Sequence, residues 1–123
     1  MSDAKDRRKY NRFRIEDGAY AIISHDVSRL GHIIDISEKG ISFSYLGSDT
    51  IEQNEIDIDI FMYHHNYYLD KVPSKVVSNF RITNDSLFNF VTLMRCCLEF
   101  KDMPEEKQAE VEYLIKTFST GDN

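Results

Sequence analysis

A mostly β domain with one C-terminal helix is the fold class this sequence predicts, and three patterns predict it. Glu55-Ile56-Asp57-Ile58-Asp59-Ile60 alternates isoleucine with carboxylate. That is the period of a strand with one face in a core and the other in water. Ile41-Ser42-Phe43-Ser44-Tyr45-Leu46 alternates apolar with small polar residues in the same way. Near the C-terminus the period changes. Val111, Leu114, Ile115 and Phe118 fall at i, i+3, i+4 and i+7, one stripe of an amphipathic helix. With 123 residues, 41% of them hydrophobic, the chain is sized for one domain with a modest core.

Residues 1–14 carry almost no apolar side chains and no period, so they predict a flexible basic arm ahead of a folded domain over 15–123. Only Tyr10 and Phe13 could dock that arm. Glu16-Asp17-Gly18 signals a turn, and Ala19 to Ser24 the first strand, with His25 and Asp26 near its exit. Arg29 to Ile36 follows as a strand whose Gly31 marks a bulge or a close backbone approach. Asp35-Ile36-Ser37-Glu38-Lys39-Gly40 ends it in a turn, with Gly40 expected to supply a positive φ. The strand Ile41 to Leu46 completes a hairpin, which sets Asp35 and Ser37 at its tip.

Gly47 to Asn54 reads as a loop. The strand from Glu55 extends to Met62 or Tyr63, and His64-His65-Asn66 turns the chain. Tyr67 to Leu69 and Lys75 to Ile82 read as a strand or pair broken near Pro73. Thr83-Asn84-Asp85-Ser86 is a turn, and Phe88 to Phe100 holds the last strand. Asp102-Met103-Pro104-Glu105-Glu106 opens the helix. Proline suits its first turn, and the glutamates suit the positive end of its dipole. The apolar stripe should cover a barrel end or a neighbouring subunit, and Gly121 lies beyond the helix stop.

Charge is distributed unevenly. Residues 1–14 hold six basic and two acidic side chains, a net +4, on a chain of net −6, so residues 15–123 carry −10. A local cationic arm on an acidic body suits a small anionic ligand. A long nucleic acid would meet repulsion elsewhere, and the pI of about 5.1 agrees. The arm contains Arg8-x-x-x-Arg12, and 23 positions later comes Asp35-x-Ser37-x-x-Gly40.

In this order and spacing the two motifs resemble the signature of the PilZ family, bacterial receptors for cyclic di-GMP. The resemblance covers roughly residues 7–118. It implies a six-stranded antiparallel β-barrel with a C-terminal helix. The arginine motif would lie on an N-terminal loop and the Asp-x-Ser-x-x-Gly motif on the barrel. It also implies a ligand site of Arg7, Arg8, Arg12, Asp35, Ser37 and Gly40. Arg8 and Arg12 can each offer a planar fork of donors to a phosphate or to the O6 and N7 edge of guanine. Asp35 can accept from guanine N1–H and its amino group, Ser37 can bond a base or phosphate, and Gly40 lets the turn close. Arg7, just before the first motif arginine, implies a stacked pair of ligand molecules. Arg95 to Phe100 resembles the family's last-strand segment, with Cys96 and Cys97 where an aromatic and a glycine are usual.

Two arm arginines are not enough for such a ligand. Ordering about six residues costs on the order of 6–12 kcal/mol, and a charged hydrogen bond returns roughly 1.5–3 kcal/mol. Stacking, contacts from Asp35 and Ser37, and docking of Tyr10 or Phe13 must add to them. The expected mechanism is an effector whose arm closes on the ligand and alters a surface read by a separate, unidentified protein. A ligand-independent interaction module on the same fold is the alternative.

Other classes find little support. No nucleophile–base set points to an enzyme. His64 and His65 point apart, and no Cys or second His pair sits at a metal-ligand spacing. Asp57 and Asp59 read as a solvated face. Cys96 and Cys97 are adjacent, so on a strand they point to opposite faces and form no mutual disulfide; as packed thiols they fit a reducing, cytoplasmic setting. No run of about 18 apolar residues is present to span a membrane, and the charged N-terminus is not a secretory signal.

Overall fold

Ile56, Ile58, Ile60 and Met62 all point inward, and the expected alternation becomes one stave of a closed barrel. The structure is a computed structural model and describes residues 11–24, 26–47, 50–82 and 92–122. Its strands are β1 (Phe13–Ile15), β2 (Ala19–Ile23), β3 (Asp26–Ile36), β4 (Gly40–Leu46), β5 (Glu55–Met62), β6 (Tyr67–Arg81), β7 (Leu93–Phe100) and β8 (Ser119–Asp122). A 3-10 turn covers Tyr63–His65, and the helix α1 spans Glu105–Phe118. The expected arm residues 1–10, His25 and the turn Thr83-Asn84-Asp85-Ser86 lie outside the described residues.

Six strands run antiparallel in the order β2-β5-β6-β7-β4-β3, and pairing of β2 with β3 closes the ring. This is the six-stranded barrel implied above. Closure removes the open edges that would otherwise template aggregation. The length of β3 lets one of its edges serve two partners in turn. Tyr20 of β2 is opposite His32, and further along Phe13 of β1 is opposite Ile36. The chain's end then adds β8 to the far edge of β1, with Arg14 opposite Gly121. Neither short strand was expected, because three or four residues carry no readable period.

Phe43, Ile58, Ile60, Met62, Leu69 and Val72 are fully buried in the barrel. All four stripe residues of α1 are buried in the same core cluster, so the helix closes the barrel as expected. Pro104 is the residue just before α1. Cys96 lies in the core and Cys97 on the outer wall, both as free thiols.

Two expectations are overturned. Pro73 does not break a strand: β6 runs through it unbroken. The Pro73 carbonyl accepts from Lys101 N–H at 2.9 Å, on the β7 side, and the β6–β7 ladder begins only at Ser74 opposite Phe100. A strand residue's N–H and C=O point to the same side, so the missing donor falls where the ladder has ended. Asp59 is not a solvated carboxylate. It is half-buried and accepts from Ser24 Oγ at 2.9 Å, Lys71 N–H at 2.9 Å and Tyr68 Oη at 2.6 Å, tying the end of β2, β5 and β6 together. Lys71 reaches it from a positive φ of 51° in a bulge between two ladder pairs, Ile58–Val72 and Ile60–Leu69.

Candidate functional site

Ser37 builds the turn at the end of β3. Its Oγ accepts the backbone N–H groups of Lys39 and Gly40, each at 3.1 Å, and its own N–H donates to the Gly40 carbonyl at 2.8 Å. A hydroxyl capping its own turn is the local reason for serine here. Two further bonds brace the turn. Phe100 N–H donates to the Lys39 carbonyl at 2.8 Å, and the Gln108 amide of α1 donates to the Glu38 carbonyl at 3.4 Å.

Gly40 has a role other than the one expected. It does not adopt a positive φ; among the described glycines only Gly18 and Gly121 do. It opens β4 opposite Glu99, where a Cβ would collide with the Leu98 carbonyl oxygen of β7. Glycine is needed for close approach of two backbones.

Asp35 lies at the end of β3 opposite Ser42 of β4, just past a bulge at Ile34. It is buried, 3% exposed, where the resemblance implied a carboxylate on the ligand surface. Ser42 Oγ donates to Asp35 Oδ1 at 2.8 Å. Arg95 of β7 reaches both: its Nη2 donates to Ser42 Oγ at 3.3 Å and stands 3.8 Å from Asp35 Oδ2. The charge is offset within the wall, as a buried carboxylate requires. Sequence reasoning left Ser42 as a strand residue and Arg95 as part of a packing segment. The usable signal was Ser42 and Ser44 on the polar period of β4 facing a lone arginine on β7.

Arg12 is exposed and immediately precedes β1. Because Phe13 is opposite Ile36, one further step of the antiparallel register sets Arg12 beside Ser37 and Arg14 beside Asp35. Phe13 packs toward the core with Ile36. By the strand period, Arg12 and Arg14 belong to the outer face that carries Asp35 and Ser37. Arg7 and Arg8 lie outside the described residues. A surface depression of about 320 Å³ lined by Glu55, Asp57, Pro73 and Lys101, among others, includes none of the motif residues.

The family model described as "PilZ domain" matches residues 6–116. No curated protein matches. Among solved structures, the fold is similar to the PilZ domain with c-di-GMP of YcgR from Escherichia coli, with a TM-score of 0.69 and 14% identity over 91% of both chains. It is also similar to YcgR in complex with c-di-GMP from Escherichia coli, with a TM-score of 0.65, 14% identity and coverage of 90% of this chain and 45% of that one. The K. pneumonia MrkH–c-di-GMP complex is similar at a TM-score of 0.63 and 18% identity, covering 89% of this chain and 51% of that one. The chain thus spans about half the length of the latter two. With a family match over most of its length and a closed barrel of matching architecture, this chain belongs to the PilZ domain family.

Proposed function

We propose that the protein binds cyclic di-GMP at the outer wall around Asp35 and Ser37, with Arg7, Arg8 and Arg12 closing over it, and acts as an effector. The observation that carries this reading is the β1–β3 register, Phe13 opposite Ile36, which brings the last motif arginine alongside the second motif. The similar YcgR and MrkH structures hold c-di-GMP, which supports the ligand's identity. Guanidinium forks meet phosphates or guanine edges, Asp35 and Ser37 supply acceptors, and Gly40 keeps the turn tight against β7. Arg7 serves a second, stacked ligand molecule. The arm's closure changes the surface offered to a protein partner in the cytoplasm, and no catalysis is involved.

Calorimetric titration with cyclic di-GMP tests this. Arg8→Ala and Arg12→Ala are each expected to weaken binding tenfold or more, about 1.4 kcal/mol, with unchanged melting. The stoichiometry is expected to exceed one ligand per chain and to return to one in Arg7→Ala. Absence of binding by the wild type would favour a ligand-independent interaction module instead.

A further inference from the structure

The water-facing side of an antiparallel sheet is ordinarily polar, and the outer wall of β4, β7 and β6 breaks that rule. Leu46 of β4 is opposite Leu93 of β7, and Ile82, just past β6, donates its N–H to the Leu93 carbonyl at 2.9 Å. The three form one row across the sheet. The next row is Ser44, Arg95 and Phe80. Beyond it lie Cys97 and Ser78, with Val77 in a bulge beside them. The intervening Phe43, Tyr45, Met94 and Cys96 are buried inside, so these rows face out. Leu46 and Val77 are each 63% exposed, Phe80 46% and Ile82 43%.

We propose that this wall is a self-association face, on which two copies of the chain pair about a two-fold axis. Charge selects the occupant. Charged residues make up 29% of the chain, yet among these rows only Arg95 is charged, and the Asp35 carboxylate faces it at 3.8 Å. Depletion of charge marks the core of an interface. Each copy carries a net −6, so two copies repel wherever acidic surfaces meet. Paired through these rows, they bring no carboxylate of the rows against another. The area fits a small interface. An apolar side chain about half exposed leaves on the order of 100 Å² in water, so Leu46, Val77, Phe80 and Ile82 offer roughly 400 Å², a patch size that is often functional on a monomer. Two such patches with their rims bury about 1,000 Å², the lower limit for a specific interface, so the dimer is a weak one. Sheets stack face to face about 10 Å apart, which sets the Leu46, Leu93 and Ile82 row of one copy against the same wall of the other. None of the motif residues lies on these rows, so the inference stands apart from the cyclic di-GMP reading.

Sedimentation velocity on the protein alone, from about 10 µM to about 1 mM, tests this by mass action. The sedimentation coefficient of the wild type is expected to rise with concentration toward that of a dimer. Leu46→Glu and Phe80→Glu, at exposed positions, are each expected to weaken association at least tenfold. Thr117→Glu adds the same charge to the exposed face of α1 and is expected to follow the wild type. A wild type that stays monomeric throughout overturns the proposal. So does association that persists in either wall variant, or that Thr117→Glu weakens as much. If a wall variant does not fold, the wild type decides by NMR. On dilution, the amide resonances that shift must cluster on β4, β7 and β6; shifts centred elsewhere, or none, overturn the assignment.

Discussion

Asp35, Ser42 and Arg95 bear on the problem of a buried carboxylate on a barrel wall: the Ser42 hydroxyl donates to it and the Arg95 guanidinium faces it. Removing either partner would leave a charge that burial penalises. The half-buried Asp59 is held by three donors, Ser24 just past β2 and Tyr68 and Lys71 of β6. The Asp59 bond has a consequence for alkaline stability. Donating to that carboxylate pushes the Tyr68 phenol up from 10.0 to about 12. A phenol whose folded pKa exceeds its unfolded one contributes stability in full below pH 10 and loses it as pH rises through 12. Tyr68→Phe removes this dependence. Thermal melts from pH 9 to 12 are expected to fall more steeply for the wild type than for the variant.

At the scale of elements, the motif turn is held by its neighbours as much as by its own residues. β4 starts against β7 with no room for a Cβ at Gly40, because the Leu98 carbonyl fills that space. Gly40→Ala must push the start of β4 away from β7. It is expected to destabilise the domain by about 1–3 kcal/mol in urea unfolding, the usual cost of overpacking. Binding of cyclic di-GMP should weaken as well, since the Ser37 turn shares the Gly40 backbone. The pairing of β8 with β1 is a second such dependence. It sets the last residues of the chain beside Arg14, and Thr120 Oγ1 adds a bond to the Arg14 carbonyl at 3.4 Å.

For the whole molecule, ring closure makes the wall rigid, and β1 sets Arg14 along its edge. A ligand bound at the proposed site would stabilise the folded state by mass action. At a hundredfold excess over Kd, linkage contributes about 2.7 kcal/mol. For a domain of this size that corresponds to a rise in Tm of roughly 10 °C. Differential scanning calorimetry with and without cyclic di-GMP checks this, and a shift that does not grow with ligand concentration would contradict specific binding. The net charge of −6 opposes a broad polyanion, so short DNA is expected to produce no comparable shift.

Strand periods and the helix stripe were legible along the chain because they are local. Ile56, Ile58 and Ile60 turn inward, and Val111, Leu114, Ile115 and Phe118 are buried, as their spacing alone implies. The Ser37 turn was legible for the same reason, since its bonds join residues two and three apart. Gly40 was misread because a missing Cβ looks the same in a sequence whether it relieves φ or makes room for a carbonyl across the sheet. Pro73 was misread because its cost depends on where β7 ends beside it. By itself the sequence determined that Ile56, Ile58 and Ile60 face inward and that the chain turns at Ser37 to Gly40, since those depend on near neighbours. Only the tertiary structure decided that Arg95 meets Asp35 and that β8 closes on β1, because both depend on which strands the barrel sets side by side.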